Sequence, residues 1–208
     1  MARSCVGSQR VQPFYLVICI LGESLEYEEV IGPVRRWVES LVVGLNLCPF
    51  AKRELVKNRV RYSVTEATTE EQLLVDLQVE LELLNRDDAI ETTLLIHPSV
   101  LEEFYDYNQF LNSADSLLTQ MRLNGVYQIA SFHPHYQFGG TAPEDAENYT
   151  NRSPYPLLHL IREESLERAI SNYPDSDQIP GRNIELLNSL GRDKMRALLH
   201  ACFNATEK

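Results

Sequence analysis

Apolar residues recur at helical spacing over 28–43, where Val30, Ile31, Val34, Trp37, Val38, Leu41 and Val42 share one face. Pro33 stands early enough to be tolerated there, and Gly44 ends the run. Pro49 suits the first position of a second helix reaching Lys57. Arg59 to Ala67 then reads as a strand through Val60, Tyr62 and Val64. The next stretch carries two signals. Val75 to Leu83 alternates apolar and polar residues, yet Leu73, Leu77, Leu81 and Leu84 form a helical stripe behind a Thr68-x-x-Glu71 capping box. Length and the Glu/Leu content favour a helix over 69–85.

Thr92 to His97 predicts a short apolar strand. Ser99-x-x-Glu102 opens a helical region to about Leu123, with a possible break near Asn108 and Gly125 as its stop. Val126 to His133 is a further strand, followed by a loop of about twenty residues, longer than compact domains ordinarily carry without a functional reason. Leu157 to Arg162 is the fourth strand, Ser165 caps a short helix to Ser171, and the chain from Pro180 is helical with a break at Gly191. Strands alternating with helices predict an α/β fold: one domain over 26–208, with a mixed, mostly parallel sheet of about four strands flanked by helices, and residues 1–25 as an extension.

Charge narrows the partners. Lysine and arginine number 19 and aspartate and glutamate 30, so the net charge is 19 − 30 = −11. Such an acidic chain is unsuited to nonspecific nucleic-acid binding, which requires phosphate neutralisation. The carboxylates around 66–91 read as one solvated helix face. The apolar run Val11 to Leu21 is too short to span a bilayer as a helix, and no small-x-small cleavage site follows it, so a membrane role and secretion are not expected. Cys5, Cys19, Cys48 and Cys202 show no C-x-x-C spacing, which suits a reducing cytoplasm. Three glycosylation sequons, at Asn148, Asn151 and Asn204, carry no meaning in that compartment.

Four features could carry chemistry. His97 and His133 each end a strand and precede a proline; if those strands are parallel neighbours, both imidazoles emerge at the carboxyl edge of the sheet, where open α/β sheets bind ligands; the alternative is that each only caps its strand. Cys48 precedes Pro49 in a segment containing Lys52, Arg53, Lys57, Arg59 and Arg61, and a thiol at a helix start is expected to have a lowered pKa and nucleophilic character; the alternative is a small buried apolar side chain. His133-Pro134-His135, completed by His97, His159 or Asp145, is a weak candidate for a divalent metal. The loop brings Tyr136, Gly139, Gly140, Asp145, Asn148, Tyr149, Asn151 and Arg152 together; glycines admit close backbone approach and Arg152 could bind an anion bidentately. An Ω-loop whose side chains serve its own backbone is the alternative.

The segments Asn46–Ala51, Thr92–Pro98, Ala130–Pro134 and Asn148–Pro156 resemble the bacterial domain-of-unknown-function family 1415, over about residues 28–191. The resemblance implies no known activity. That family commonly carries an acidic residue where His135 stands, which weighs against His135 as an essential ligand. The expectation from the residues is therefore a small-molecule enzyme acting on a small anionic or polar substrate. Cys48 is its nucleophile or redox thiol, His133 its acid or base, and Asp145 orients the histidine. His97, Tyr136, Asn148, Asn151, Arg152 and Arg162 bind substrate. A non-catalytic metabolite- or metal-binding module is the alternative, and no heptad run favours a coiled-coil partner role.

Overall fold

The computed structural model describes residues 27–204; the apolar run at Val11–Leu21 and the last residues of the third sequon lie outside them. The first helix, α1, runs over 27–37 and continues as a π-helical stretch, Val38–Val43. Its stripe of Val34, Trp37, Val38 and Leu41 is buried, as the periodicity predicts. The wide last turn closes where the Gly44 amide donates to Glu39 at 3.0 Å. A Cβ at Gly44 would collide with the Ser40 carbonyl oxygen, so this turn admits only glycine without a backbone shift.

The helix expected from Pro49 is shorter than predicted. It is α2, Ala51–Val56, with Phe50 at its N-cap and no buried residue to anchor it. Strand β1 (Val60–Val64), helix α3 (Glu70–Arg86), strand β2 (Thr92–Ile96) and helix α4 (Phe104–Gln120) follow. The stripe Leu73, Leu77, Leu81 and Leu84 is fully buried, so burial settles the ambiguity of 75–83 in favour of a helix. The cap lies one residue later than expected: Thr69 accepts from the Gln72 amide at 3.3 Å, and Gln72 reaches back to the Thr68 amide at 2.9 Å. Helix α4 is unbroken at Asn108 and starts at Phe104, without a cap from Ser99, because Tyr107, Phe110, Ala114 and Leu118 need one continuous face to reach the core. Strand β3 (Tyr127–Phe132), a 3-10 turn at Ala146–Thr150, β4 (Leu157–Arg162), α5 (Glu163–Ser171), α6 (Ile179–Leu190) and α7 (Arg192–Ala201) complete the chain. Gly191, at φ 77°, separates the last two helices.

The sheet order is β1-β2-β4-β3. β1 and β2 are parallel, while β4 pairs antiparallel with both β2 and β3. The sheet is therefore mixed rather than mostly parallel. The physical reason is the connection: β3 reaches β4 through the 133–156 loop without a crossover helix, and a chain that returns directly pairs antiparallel. Helices α3 and α4 cover one face against Leu95, Leu158 and Leu160. Helices α1, α6 and α7 cover the other against Leu94, Ile96 and Leu157. Among the described residues no helix is long and apolar enough to cross a membrane.

Gly44→Ala is expected to lower the urea midpoint of unfolding by the equivalent of about 1–3 kcal/mol, since the added methyl must displace backbone. An unchanged midpoint would show that the π-helical turn relaxes freely.

Candidate functional site

β1, β2 and β3 all point the same way, with β4 returning between β2 and β3. The carboxyl ends of three strands thus share one edge, and His97 and His133 are the first residues beyond two of them. Side-chain alternation along each strand sends both rings to the face covered by α3 and α4. There they flank Tyr107: its ring is stacked at 5.7 Å from His97 and lies 5.1 Å from His133. The Tyr107 hydroxyl donates to the Leu157 carbonyl and accepts from the Phe132 amide, each at 2.9 Å. One buried phenol thereby holds the end of β3 to the start of β4.

The imidazoles are committed to backbone. Nδ1 of His97 donates to the Val100 carbonyl at 2.9 Å. Nε2 of His133 donates to the Leu101 carbonyl at 3.2 Å, and its Nδ1 accepts from the His135 amide at 3.0 Å. Both rings are fully buried. Burial pulls the pKa of each down to about 4, and repulsion from a neighbouring ring adds to this, His133 for His97 and His135 for His133. Nε2 of His97 has no hydrogen-bond partner among the described residues. His159 lies on the opposite face, where its Nε2 meets Thr92 Oγ1 at 2.7 Å and burial lowers its pKa to about 4. Among the described residues no group of three His, Cys, Asp or Glu side chains is placed to hold a metal ion. His133 has both nitrogens occupied, and His135 is exposed.

Among the described residues no hydrogen bond joins Cys48 to either histidine. Helix α1 packs on the sheet face opposite the two rings, with Arg35 over Tyr62 and Trp37 edge-on to Phe132 at 5.3 Å. The turn carrying Cys48 follows that helix, and Leu47 beside it packs in the core of the same face. Asn183 of α6 holds that turn by donating to the Leu47 carbonyl at 2.9 Å. The amides of Phe50 and Ala51 do favour the thiolate, as a helix start should, but burial outweighs them and raises the thiol pKa. The expected low pKa is thus overturned by desolvation. Arg162 sits at the amino edge, at the end of β4. Its guanidinium clasps the carbonyls of Leu84, Asp87 and Ile90 and meets the Tyr127 hydroxyl at 3.1 Å, tying down the α3–β2 turn.

The polar loop is bonded to itself. Asn148, fully buried, accepts from the Phe138 amide at 3.0 Å and Thr141 Oγ1 at 2.8 Å, and donates to the Ala142 carbonyl at 2.8 Å. Asp145 accepts from the Ala142 amide at 2.8 Å rather than orienting a histidine. Asn151 donates to the Ser131 carbonyl. Arg152 donates to the carbonyls of Tyr136 and Pro143 and lies 4.7 Å from the Tyr149 ring. Tyr136 packs between Phe104 and Phe138, at 5.0 Å from each. These side chains do what an Ω-loop requires.

A shallow, open cleft of about 550 Å³ lies at this edge, lined in part by Val100 and Leu101, whose carbonyls the histidines hold. One wall is the start of α3, at Thr68–Glu71; the other is the chain from Ser99 to Glu103, with Asp106. Its lining carries the carboxylates of Glu70, Glu71, Glu102, Glu103 and Asp106, and no lysine or arginine. None of these was singled out as a site residue from the sequence. The two helix-start signals at Thr68 and Ser99 marked both walls, but nothing local showed that they face each other.

A family model described as protein of unknown function (DUF1415) matches residues 29–197. The search of curated proteins and the search of solved structures found no match.

Two outcomes are expected. Arg152→Ala should destabilise the fold by about 1–3 kcal/mol in urea titration, because two loop carbonyls lose their donor; unchanged stability would show that the arginine is free for a ligand. His97, His133 and His159 have folded-state pKa values near 4, below the ordinary 6.5. The unfolded chain therefore takes up protons first: stability is complete above about pH 6.5 and is lost as pH falls toward 4. His159→Gln should flatten this decline, measured as the urea midpoint against pH, and an equally steep decline would contradict it.

Proposed function

We propose a small-molecule-binding role for this chain, which belongs to the DUF1415 family of proteins of unknown function: the acidic cleft at the carboxyl edge receives a small polar ligand carrying an ammonium or guanidinium group. The observation that carries this reading is the cleft itself, about 550 Å³ with a carboxylate-rich lining free of basic side chains. Its place supports the reading, since ligands of open α/β sheets bind outside the carboxyl ends of strands. The charge revises the anionic substrate expected from Arg152: that arginine serves loop carbonyls, and an anion entering the cleft would meet like charge.

Binding is favoured over catalysis because the candidate machinery is dispersed. The Cys48 thiol is desolvated and adjoins Leu47 in the core of the other sheet face, Asp145 caps its own loop, and His133 has no free nitrogen. One observation favours a second reading, an enzyme with His97 as proton acceptor: its Nε2 keeps an unpaired lone pair. The readings separate on product formation from whichever ligand binds.

Thermal-shift measurements with matched sets of small amines, guanidines, carboxylates and phosphates test the proposal. Amines or guanidines should raise Tm, with a stabilisation of about 2.7 kcal/mol at a hundredfold excess over Kd. A double variant, Glu102→Gln with Glu103→Gln, should retain the fold and lose the shift. A shift from carboxylates or phosphates alone, or one that survives the double variant, would overturn the reading.

A further inference from the structure

The chain from Pro98 to Glu103 follows His97 beyond β2, and Ser99 to Glu103 form one wall of the cleft. No helix or strand includes it; its only regular feature is a turn at Pro98 and Ser99. It is nevertheless drawn inward: Val100 and Leu101 are buried, and Leu101 adopts φ 58°, the left-handed region that a leucine enters only at a cost of about 1–3 kcal/mol. Two consecutive carbonyls, those of Val100 and Leu101, accept from the two histidines. The histidines follow different strands and are positioned by separate backbone bonds, His97 N to Pro156 O and His133 N to Asn151 O, each at 3.1 Å. The bonds are thus made by rigid strand ends to an irregular, strained segment.

We infer that residues 98–103 form a proton-released strap: neutral His97 and His133 hold it closed, and protonation of the histidines frees it, moving one wall of the cleft. This stands on the hydrogen-bond geometry and does not depend on which ligand the cleft takes.

The two rings respond differently to a proton. On His133 the free valence is Nδ1, which already accepts the His135 N–H. A proton added there sets N–H against N–H, so the ring must turn, and the Leu101 carbonyl loses its donor. On His97 the proton goes to Nε2, a site with no acceptor, and leaves an uncompensated buried charge. The titratable and charged groups on the elements packed around them are Tyr107 and Asp106 of α4, Glu70 and Glu71 of α3, His135 and Tyr136 of the loop, and Glu102 and Glu103 of the strap. None of the carboxylates has a hydrogen bond or ion pair to either ring among the described residues, and Tyr107 stays protonated because burial raises its pKa. Burial and repulsion between rings keep both imidazoles neutral until about pH 4, so release belongs to acid conditions.

The test is NMR of the full chain from pH 7 to 3.8. Long-range proton–nitrogen spectra should show the proton on Nδ1 of His97 and on Nε2 of His133 at pH 7. On acidification the amide signals of 99–103 should shift or broaden together with the ring signals, while those of β2, β3 and α4 keep their positions. His133→Gln should remove the part of the response centred on Leu101, leaving only what His97 produces at Val100, because a glutamine can donate to Leu101 and accept from His135 without titrating. The opposite tautomers, ring titration with a stationary strap, loss of the whole spectrum before the strap moves, or an unaltered response in H133Q would each overturn the inference. The ring tautomers in the native chain decide the matter even if H133Q fails to fold.

Discussion

The Tyr107 hydroxyl, buried between the ends of β3 and β4, is the contact around which the carboxyl edge is organised. It satisfies one donor and one acceptor of two different strands at once. Its ring then separates two imidazoles that have no carboxylate beside them. A phenol suits this position because it accepts and donates without taking a charge, and burial pushes its ionisation still higher. β4 enters the sheet between β2 and β3 at this point. The ladders on both sides of β4 are thus supplemented by hydrogen bonds from a side chain outside them.

Polar side chains near the edge divide into two groups by what they face. Asn148, Asp145 and Arg152 face the backbone of their own long loop, Asn151 faces the Ser131 carbonyl of β3, and Arg162 faces the turn before β2. A loop without regular structure leaves amides and carbonyls that must be paired where water is excluded, and short amides and a guanidinium fork are suited to that task. The carboxylates of the cleft are different. They stand at the starts of α3 and α4, where the partial positive charge of the helix ends offsets their mutual repulsion. Helix ends thus allow an acidic concavity to persist without basic side chains lining it.

Much of the architecture was legible in the chain because it depends on local pattern. The stripes of α1 and α3, the strands at 92–96, 127–132 and 157–162, and the break at Gly191 follow from spacing and backbone preference. His97 and His133 could be placed at strand ends because each follows an apolar run and precedes proline. The start of α4 was misplaced, since the decision between Ser99 and Phe104 rests on where the strap is pulled, and the pull comes from histidines on two strands.

The sequence by itself determined the element types, the α/β class and the position of two imidazoles at strand ends, because periodicity and turn chemistry act within a few residues. Tertiary structure alone decided the strand order, the side of the sheet on which Cys48 lies, the partners of the loop's polar groups and the meeting of two helix starts in an acidic cleft. The reason is physical: desolvation and hydrogen-bond pairing are set by what distant segments bring alongside a group. A cysteine primed by its helix start is consequently held as a thiol by its surroundings.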